Sequence, residues 1–309
     1  MTLNEAMKKY GIPVPENIEA YDSTEYPEFH KMYLSSFVET FGKSAQNNEG
    51  GGHKKIAVVL GGQIGAGKSS LVAHTKREIK EQGGKIVLVD DDNYRQYYPK
   101  REEILTDCPE HYARITGTAS GKVTPKILSF ASKNGYSFIF DGTMKNDRIL
   151  KTMQTWEDDY EIRVKVMATS RLRSLVSATM RNAIFRTSAN DCRYVSVETH
   201  DETYYGIPET LRTLEELGIA SSIKVFIRGK DPTSPVEKYS SEQTPKESAA
   251  DVLERLRKED ETKYLQNDAA EEIAELKRLA EQLSETEKKE IDRIVKIVER
   301  EMEKSEVDR

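Results

Sequence analysis

A doubly wound, mainly parallel α/β sheet wrapped around a phosphate-binding loop (P-loop) is the fold this sequence predicts, and three observations predict it. Short runs rich in Val, Ile and Phe alternate with helical patterns. A glycine-rich turn ending in Lys-Ser follows the first run directly, and acidic residues emerge at the ends of two later runs. Strands of that composition separated by helices pack as a parallel sheet covered on both faces, with ligands at the carboxyl ends of its strands.

The bulk numbers set the frame. A chain of 309 residues can hold one large domain or two modest ones. With 47 Lys and Arg against 53 Asp and Glu the balance is mildly acidic. That argues against a nucleic-acid or anionic-membrane surface, so neither partner is expected. The two cysteines, Cys108 and Cys192, form no CxxC or Cys/His spacing, so no disulfide framework or zinc site is indicated. No basic stretch followed by an apolar run opens the chain, and no window approaches roughly 18 uninterrupted apolar residues. A cytoplasmic protein is expected.

The elements follow in order. The segment from about residue 27 to 41 carries Phe29, Tyr33, Phe37 and Phe41 at helical spacing, an amphipathic helix docked either on the main core or on a partner. The turn-rich NNEGGGH at 47–53 marks a break. Strands are expected at IAVVL (56–60), KIVLV (85–89), YSFIF (136–140), IRVKVMA (162–168) and IKVFI (223–227). The Pro/Ser-rich stretch at 231–245 reads as a linker. Beyond it, apolar positions recur at Ile273, Leu276, Leu279 and Leu283, and again at Ile291, Ile294, Val295, Val298 and Met302, with the capping-box pattern Ser284-Glu-Thr-Glu287 between them. A charged helical hairpin is expected there, its apolar faces meeting each other or a partner. The organisation expected is therefore an amino-terminal helical segment (1–50), an α/β domain around the P-loop (51–232), and a linker with the hairpin (233–309).

The chemistry begins at Gly62-Gln63-Ile64-Gly65-Ala66-Gly67-Lys68-Ser69, which fits GxxxxGK[ST] between a strand and a helix, the context the motif requires. Glycines let several backbone N–H groups converge on phosphates, and the helix amino terminus adds positive partial charge. Lys68 is expected to bridge the β- and γ-phosphates and the Ser69 hydroxyl to ligate Mg²⁺. ATP or GTP and Mg²⁺ are thus the expected cofactors. The second strand runs into Asp90-Asp91-Asp92. If the strand persists, Asp90 and Asp92 share a face toward the phosphates and Asp91 points away. One carboxylate would hold the metal or its waters and the other accept a proton from an attacking hydroxyl. The third strand ends Asp141-Gly142-Thr143, either an acid beside the P-loop or an ordinary strand-end turn. Arg171, Arg173, Arg181, Arg186 and Arg193 surround the helix after the fourth strand, and guanidinium groups there suit the charge of a phosphoryl-transfer transition state. SKNG (132–135) and GKDP (229–232) do not satisfy NKxD, which argues against a switch GTPase.

With these pieces in order the chain resembles the zeta toxins, P-loop kinases of bacterial toxin–antitoxin pairs, from about Ile56 to Gly229. VLGGQIGAGKSS is similar to the family's GGQPGSGK[TS] opening, which carries the nucleotide cradle on to Ser70. VDDDNYRQYYP is similar to its Asp-x-Asp block, which implies that Asp92 is the catalytic base, with Asp90 beside the substrate. FDGT stands where the family has Glu-Gly-Thr, so the resemblance gives Asp141 and Thr143 to the substrate, with an acid one methylene shorter. Counting from VMA selects Arg181, and the position before His200-Asp201 selects Arg193, as the phosphoryl-stabilising arginines. TLRTLEELGIASSIKVFIRG matches the family's closing helix, glycine and strand. The resemblance implies transfer of the γ-phosphate of ATP or GTP to the 3′-hydroxyl of the amino sugar of UDP-N-acetylglucosamine, which would block cell-wall synthesis, and it implies an antitoxin protein as partner. Two other readings stand beside it: a P-loop kinase for another small metabolite or nucleotide, and a nucleotide-binding interaction module without catalysis.

Overall fold

The computed structural model describes residues 27–42, 55–188, 194–231, 233–243 and 246–307 together with Glu5 and Lys9, the side chains of 27–30, 110 and 188 excepted. The break expected at 47–53 lies outside the described residues. In chain order the elements are α1 (Pro27–Phe41), β1 (Lys55–Gly61), α2 (Lys68–Glu81), β2 (Val87–Asp90), the single turn α3 (Asp91–Tyr94), α4 (Arg101–Asp107), α5 (Tyr112–Lys133), β3 (Phe138–Asp141), α6 (Arg148–Gln154), β4 (Tyr160–Met167), α7 (Arg171–Ser188), α8 (Val197–Leu217), β5 (Ser222–Ile227), β6 (Val236–Ser240), α9 (Ala249–Asn267), α10 (Ala269–Ala280) and α11 (Glu285–Val307).

Among the described residues six strands form one sheet in the order β2-β3-β1-β4-β5-β6. Neighbours from β2 to β5 run parallel, and β6 is antiparallel to β5. This is the α/β, mainly parallel class that the alternation of apolar runs and helices implies. The period of two along β1 shows the double winding. Ala57 and Val59 face a core with Ile115, Ala119, Val123 and Ile127 of α5 and with Ile207, Leu211 and Leu214 of α8. Val58 and Leu60 face the opposite core with Leu71 of α2, Met167 and Phe226. Central strands must be apolar on both faces, which is why they read as continuous runs rather than alternating ones.

The docked helix α1 packs its described aromatic stripe inward. Phe37 and Phe41 meet Phe130 of α5 at 4.7 and 5.0 Å between ring centroids, and Phe41 meets Tyr136 at 5.0 Å. Thr40 shares a 2.7 Å hydrogen bond with the Tyr94 hydroxyl, so α1 also touches the turn that carries the acidic cluster.

Two features depart from the sequence reading. The stretch taken as linker holds β6, whose first three residues are exposed and only Tyr239 and Ser240 buried. Such a short, half-polar edge strand gives no apolar run to detect. The capping box forms as expected: Ser284 N–H donates to Glu287 Oε2 at 3.1 Å, and Glu287 N–H to Ser284 Oγ at 3.4 Å. However, the hairpin does not bury its stripes only on itself. Leu276, Ile291, Ile294, Val295 and Val298 share one core with Leu172, Leu175, Val176 and Ala183 of α7, and Arg186 of α7 donates to Glu287 at 2.8 Å. An apolar stripe shows that a helix face must be covered and says nothing of which surface covers it.

Leu276 is fully buried in this second core. Leu276→Ala is expected to lower unfolding stability by about 2–5 kcal/mol, measured as a reduced urea midpoint at constant slope. A chain ended at Lys246 is expected to be insoluble or to unfold without cooperativity. A soluble truncation with a sharp melting transition would show that α7 does not need the tail.

Candidate active site

The site is built at the carboxyl ends of β1, β2 and β3, where the register sets Asp90 beside Asp141 and Asp141 beside Leu60, one residue before the strand ends at Gly61. From Gly61 the chain enters the phosphate-binding loop. Gly67 caps α2 in the left-handed region, φ 98°, and Gly65 at φ 78° lies so close to α7 that a Cβ there would sit 2.0 Å from the Ser174 carbonyl oxygen. Both positions require glycine. No acidic residue occupies the first turn of α2, which leaves the positive end of its dipole facing the cleft.

The loop's carbonyls point into the protein and are paired there. Arg228, at the end of β5, donates to Gly65 O and, at 3.3 Å, to Ala66 O. Thr169 Oγ1 donates to Ala66 O at 2.7 Å, and Lys68 Nζ to Gly62 O at 3.1 Å. Gln63 is fully buried, with its amide committed to Thr169 O (2.7 Å), Ser174 Oγ (2.9 Å) and Arg257 Nη2 (2.9 Å). Ser69 is exposed and lines the cleft. Ser70 does not line it, and its hydroxyl donates to Gly67 O at 2.8 Å.

The acidic cluster faces this loop. β2 ends at Asp90, whose carboxylate accepts from Asp92 N–H (3.0 Å) and Asn93 N–H (3.3 Å) as the cap of α3. The strand therefore does not persist through Asp92, and the alternation expected for the three acids fails: all three line the cleft. Asp91 accepts from Thr124 Oγ1 at 2.8 Å, and Arg95 of the same segment pairs with Asp92 at 2.8 Å and Asp91 at 3.5 Å. Asp141 Oδ1 is buried and makes no hydrogen bond. Burial pushes the Asp90 carboxyl up to about 7, and the charges of Asp141 and Asp92 add to the push against its two N–H donors. Burial also raises Asp141, with Asp92 adding to the rise, while Lys68 and Arg181 oppose it. After Asp141 the chain turns through Gly142 and Thr143 to Met144, the one described non-glycine residue with positive φ, 56°. That turn brings Thr143 O within 3.4 Å of Gly62 N–H and seats Thr143 on the cleft wall.

Of the described arginines on α7, Arg181 alone lines the cleft. Arg171 makes a two-pronged pair with Asp201 (2.7 and 2.6 Å), Arg173 pairs with Asp268 and Asp260, and Arg186 with Glu287. Arg193 lies outside the described residues. Sequence reasoning passed over Arg228, Arg95 and Arg148. Arg228 was the findable one, because it follows a parallel strand at its ligand end.

The cleft encloses about 1290 Å³. One end is walled by Ile64–Ser69 of the loop. The other runs between α5 and α6 past Lys133, Lys145, Arg148, Thr152 and Asp159. Among the described residues no group of three or more His, Cys, Asp and Glu could hold a metal ion, and no helix is long and apolar enough to cross a membrane.

The family model described as zeta toxin matches residues 40–244. Toxin PezT of Streptococcus pneumoniae serotype 4 is 29% identical over 242 residues, 77% of this chain and 89% of that protein. Toxin zeta of Streptococcus agalactiae is 28% identical over 202 residues, 64% of this chain and 68% of that protein. Among solved structures, one from the characterization of the PezAT chromosomal toxin–antitoxin system of Streptococcus pneumoniae superposes with a TM-score of 0.61 at 24% identity, over 92% of this chain and 98% of that one. AvrRxo1-ORF1:-ORF2 with ATP superposes with a TM-score of 0.56 at 14% identity, over 92% and 87% of the two chains. These likenesses show the fold.

The raised Asp90 carboxyl has a stability consequence. The folded chain holds this proton more tightly than the unfolded chain, whose Asp titrates near about 4, so its contribution falls as pH rises from about 4 to about 7 and the penalty is complete above that. Asp90→Asn keeps an oxygen to cap α3 but carries no charge. In metal- and nucleotide-free buffer its melting temperature is expected to exceed the parent's at pH 8, the gap closing toward pH 5. A gap that is absent or constant with pH would mean that Asp90 is not held protonated.

Proposed function

The chain belongs to the zeta toxin family, and on that premise we propose that it is a kinase that moves the γ-phosphate of ATP or GTP to the 3′-hydroxyl of the amino sugar of UDP-N-acetylglucosamine. The observation that carries the reading is the meeting, in one cleft, of a strand–loop–helix phosphate cradle and an acidic cluster on the neighbouring strand ends. The far arm of the cleft supports an acceptor that is itself anionic, since Lys133 and Arg148 line it beside one acid, Asp159, and Lys145, also there, pairs with Glu202 at 3.2 Å.

In this reading the N–H groups of Gly65, Gly67, Lys68 and Ser69 and the amino end of α2 hold the nucleotide phosphates, with Lys68 turning from Gly62 O toward the γ-phosphate. The acceptor hydroxyl lies against Asp92, which takes its proton as the new oxygen–phosphorus bond forms and the bond from the γ-phosphorus to the bridging oxygen breaks. Arg181 stabilises charge on the equatorial oxygens. The residues fit Mg²⁺: the Ser69 hydroxyl is exposed at the start of α2, and the Asp141 oxygen buried without a partner suits a cation or its water. P-loop sites bind this ion with one or two protein groups plus phosphates and water, so no larger ligand cluster is required. When bound, the ion offsets phosphate charge.

The finding that Asp141 stands where the family resemblance calls for Glu favours a second acceptor. A carboxylate one methylene shorter leaves more room, which fits a bulkier or different small metabolite. We further propose a cytoplasmic enzyme restrained by an antitoxin protein, a reading supported by the toxin–antitoxin system named for the PezAT structure.

Incubation with ATP, Mg²⁺ and UDP-N-acetylglucosamine is expected to yield the sugar nucleotide with one added phosphate, read by mass. Lys68→Ala should abolish transfer. Asp92→Asn should retain ATP binding and lose about 10²- to 10⁴-fold in kcat, and Arg181→Ala on the order of 10³-fold. ATP turnover with another metabolite but none with UDP-N-acetylglucosamine would select the second acceptor, and an active Asp92→Asn beside a dead Asp90→Asn would move the base by two residues.

A further inference from the structure

We propose that Arg257, in tail helix α9, is a positioning residue for the nucleotide: it holds the phosphate-binding loop from behind through the side chain of Gln63. The proposal rests on the reading that this loop binds a nucleotide.

Gln63 is the second residue of the loop, and its side chain turns away from the cleft into the protein. Its amide nitrogen is held by Thr169 O and Ser174 Oγ, and its oxygen accepts from Arg257 Nη2 at 2.9 Å. The other terminal guanidinium nitrogen of Arg257 donates to Tyr204 O at 2.8 Å, and the guanidinium carbon sits over the Tyr204 ring, 4.1 Å from its centroid. Arg257 is 2% exposed and makes no ion pair with a carboxylate among the described residues. A guanidinium so placed is held by the loop's amide, one carbonyl and one aromatic face. Neighbouring residues of α9 reinforce the same seam. Asp260 accepts from Ser170 N–H at 2.8 Å and Glu261 from Leu172 N–H at 3.1 Å, at the start of α7. From there α7 presents Ser174 to Gln63 and Ser177 to Arg228.

The direction of the link matters. The Gln63 side chain is bonded to three groups, on α7, on α9 and in the turn after β4, and to none in the cleft. Its three side-chain bonds fix one end of a loop whose N–H groups must all aim at one point. Hydrogen bonds to a charged donor are among the stronger ones, and loss of one is enough to be read as roughly a tenfold change in ligand affinity.

The test uses full-length Arg257→Lys and Gln63→Met proteins. Lysine keeps the charge and loses the fork that reaches Gln63 and Tyr204 together. Methionine removes the same link from the loop's side. Two readouts are taken: amide hydrogen exchange of the peptide spanning residues 61–68, and ATP affinity with Mg²⁺. Both variants are expected to exchange faster at the loop with unchanged exchange in α5, and to bind ATP about tenfold more weakly; the double variant should be no weaker than the worse single one. Loop exchange at the parent rate in both variants would overturn the proposal, as would a loosened loop with parental ATP affinity. If Arg257→Lys does not fold, Gln63→Met decides alone. A parent chain that binds no ATP would count against the kinase reading, whereas loop exchange still decides whether Arg257 braces the loop.

Discussion

The inward-facing carbonyls of the phosphate-binding loop are the constraint on which the rest of the structure depends. A peptide unit points its N–H and C=O in opposite directions, so a loop that converges its N–H groups on a phosphate must drive its carbonyls into the protein. Buried carbonyls need donors. Here the donors are Arg228 and Thr169 for Gly65 and Ala66, and Lys68 for Gly62. Each donor comes from a different place: the end of β5, the turn after β4, and the first turn of α2. The loop can therefore form only when three strand ends and the helix that follows are already in register, which makes the site a property of the whole sheet.

The charges around the loop follow from the same geometry. Parallel strands that end together bring Asp90 and Asp141 side by side, and the helical turn after Asp90 adds Asp92. Burial disfavours ionisation of Asp90 and Asp141, and the neighbouring acids add to it, so both carboxyls are raised. Lys68 and Arg181 oppose the rise at Asp141 from the phosphate side, and Arg95 pairs with Asp92 and Asp91 from the outer side. The site holds a balance of opposed charges that any bound phosphate or cation must shift. Pre-placed charges of this kind do not have to reorganise when a phosphoryl group moves.

Much of this was legible in the sequence, for reasons that differ from residue to residue. The loop was legible because glycine spacing, lysine and flanking strand and helix are all local. The five parallel strands were legible because burial on both faces leaves an uninterrupted apolar run. The choice of Arg181 among its neighbours came only from counting along a family pattern. The structure adds that Arg171, Arg173 and Arg186 are bound to Asp201, Asp268 and Glu287, partners no local rule could supply. Strand β6 was hidden because an edge strand needs little apolar surface. The orientation of the three acids was misread because nothing in VDDDNY distinguishes a strand that continues from one that Asp90 caps. Gln63 was grouped with the phosphate cradle by position, yet its side chain serves the core behind it.

The burial of Arg257 shows why the tail cannot be treated as an appendage. Removing a guanidinium from water without a carboxylate beside it is expensive, and burial lowers its pKa to about 10. Apolar residues of similar volume in such places are often neutral or stabilising, so a buried cation is weak grounds for a stability role. What an apolar residue cannot do is donate at once to Gln63 Oε1 and Tyr204 O while placing a cation over a tyrosine ring. The planar fork fixes the distance and angle between α8, α9 and the loop in a way that packing alone would leave loose. Beside it, Asp260 and Glu261 meet the first N–H groups of α7, which would otherwise be unsatisfied at that helix end. The same α7 then covers the apolar stripes of α10 and α11. A displacement of the tail would thus reach the phosphate-binding loop by two routes, through Arg257 to Gln63 and through α7 to Ser174, and both converge on one buried amide.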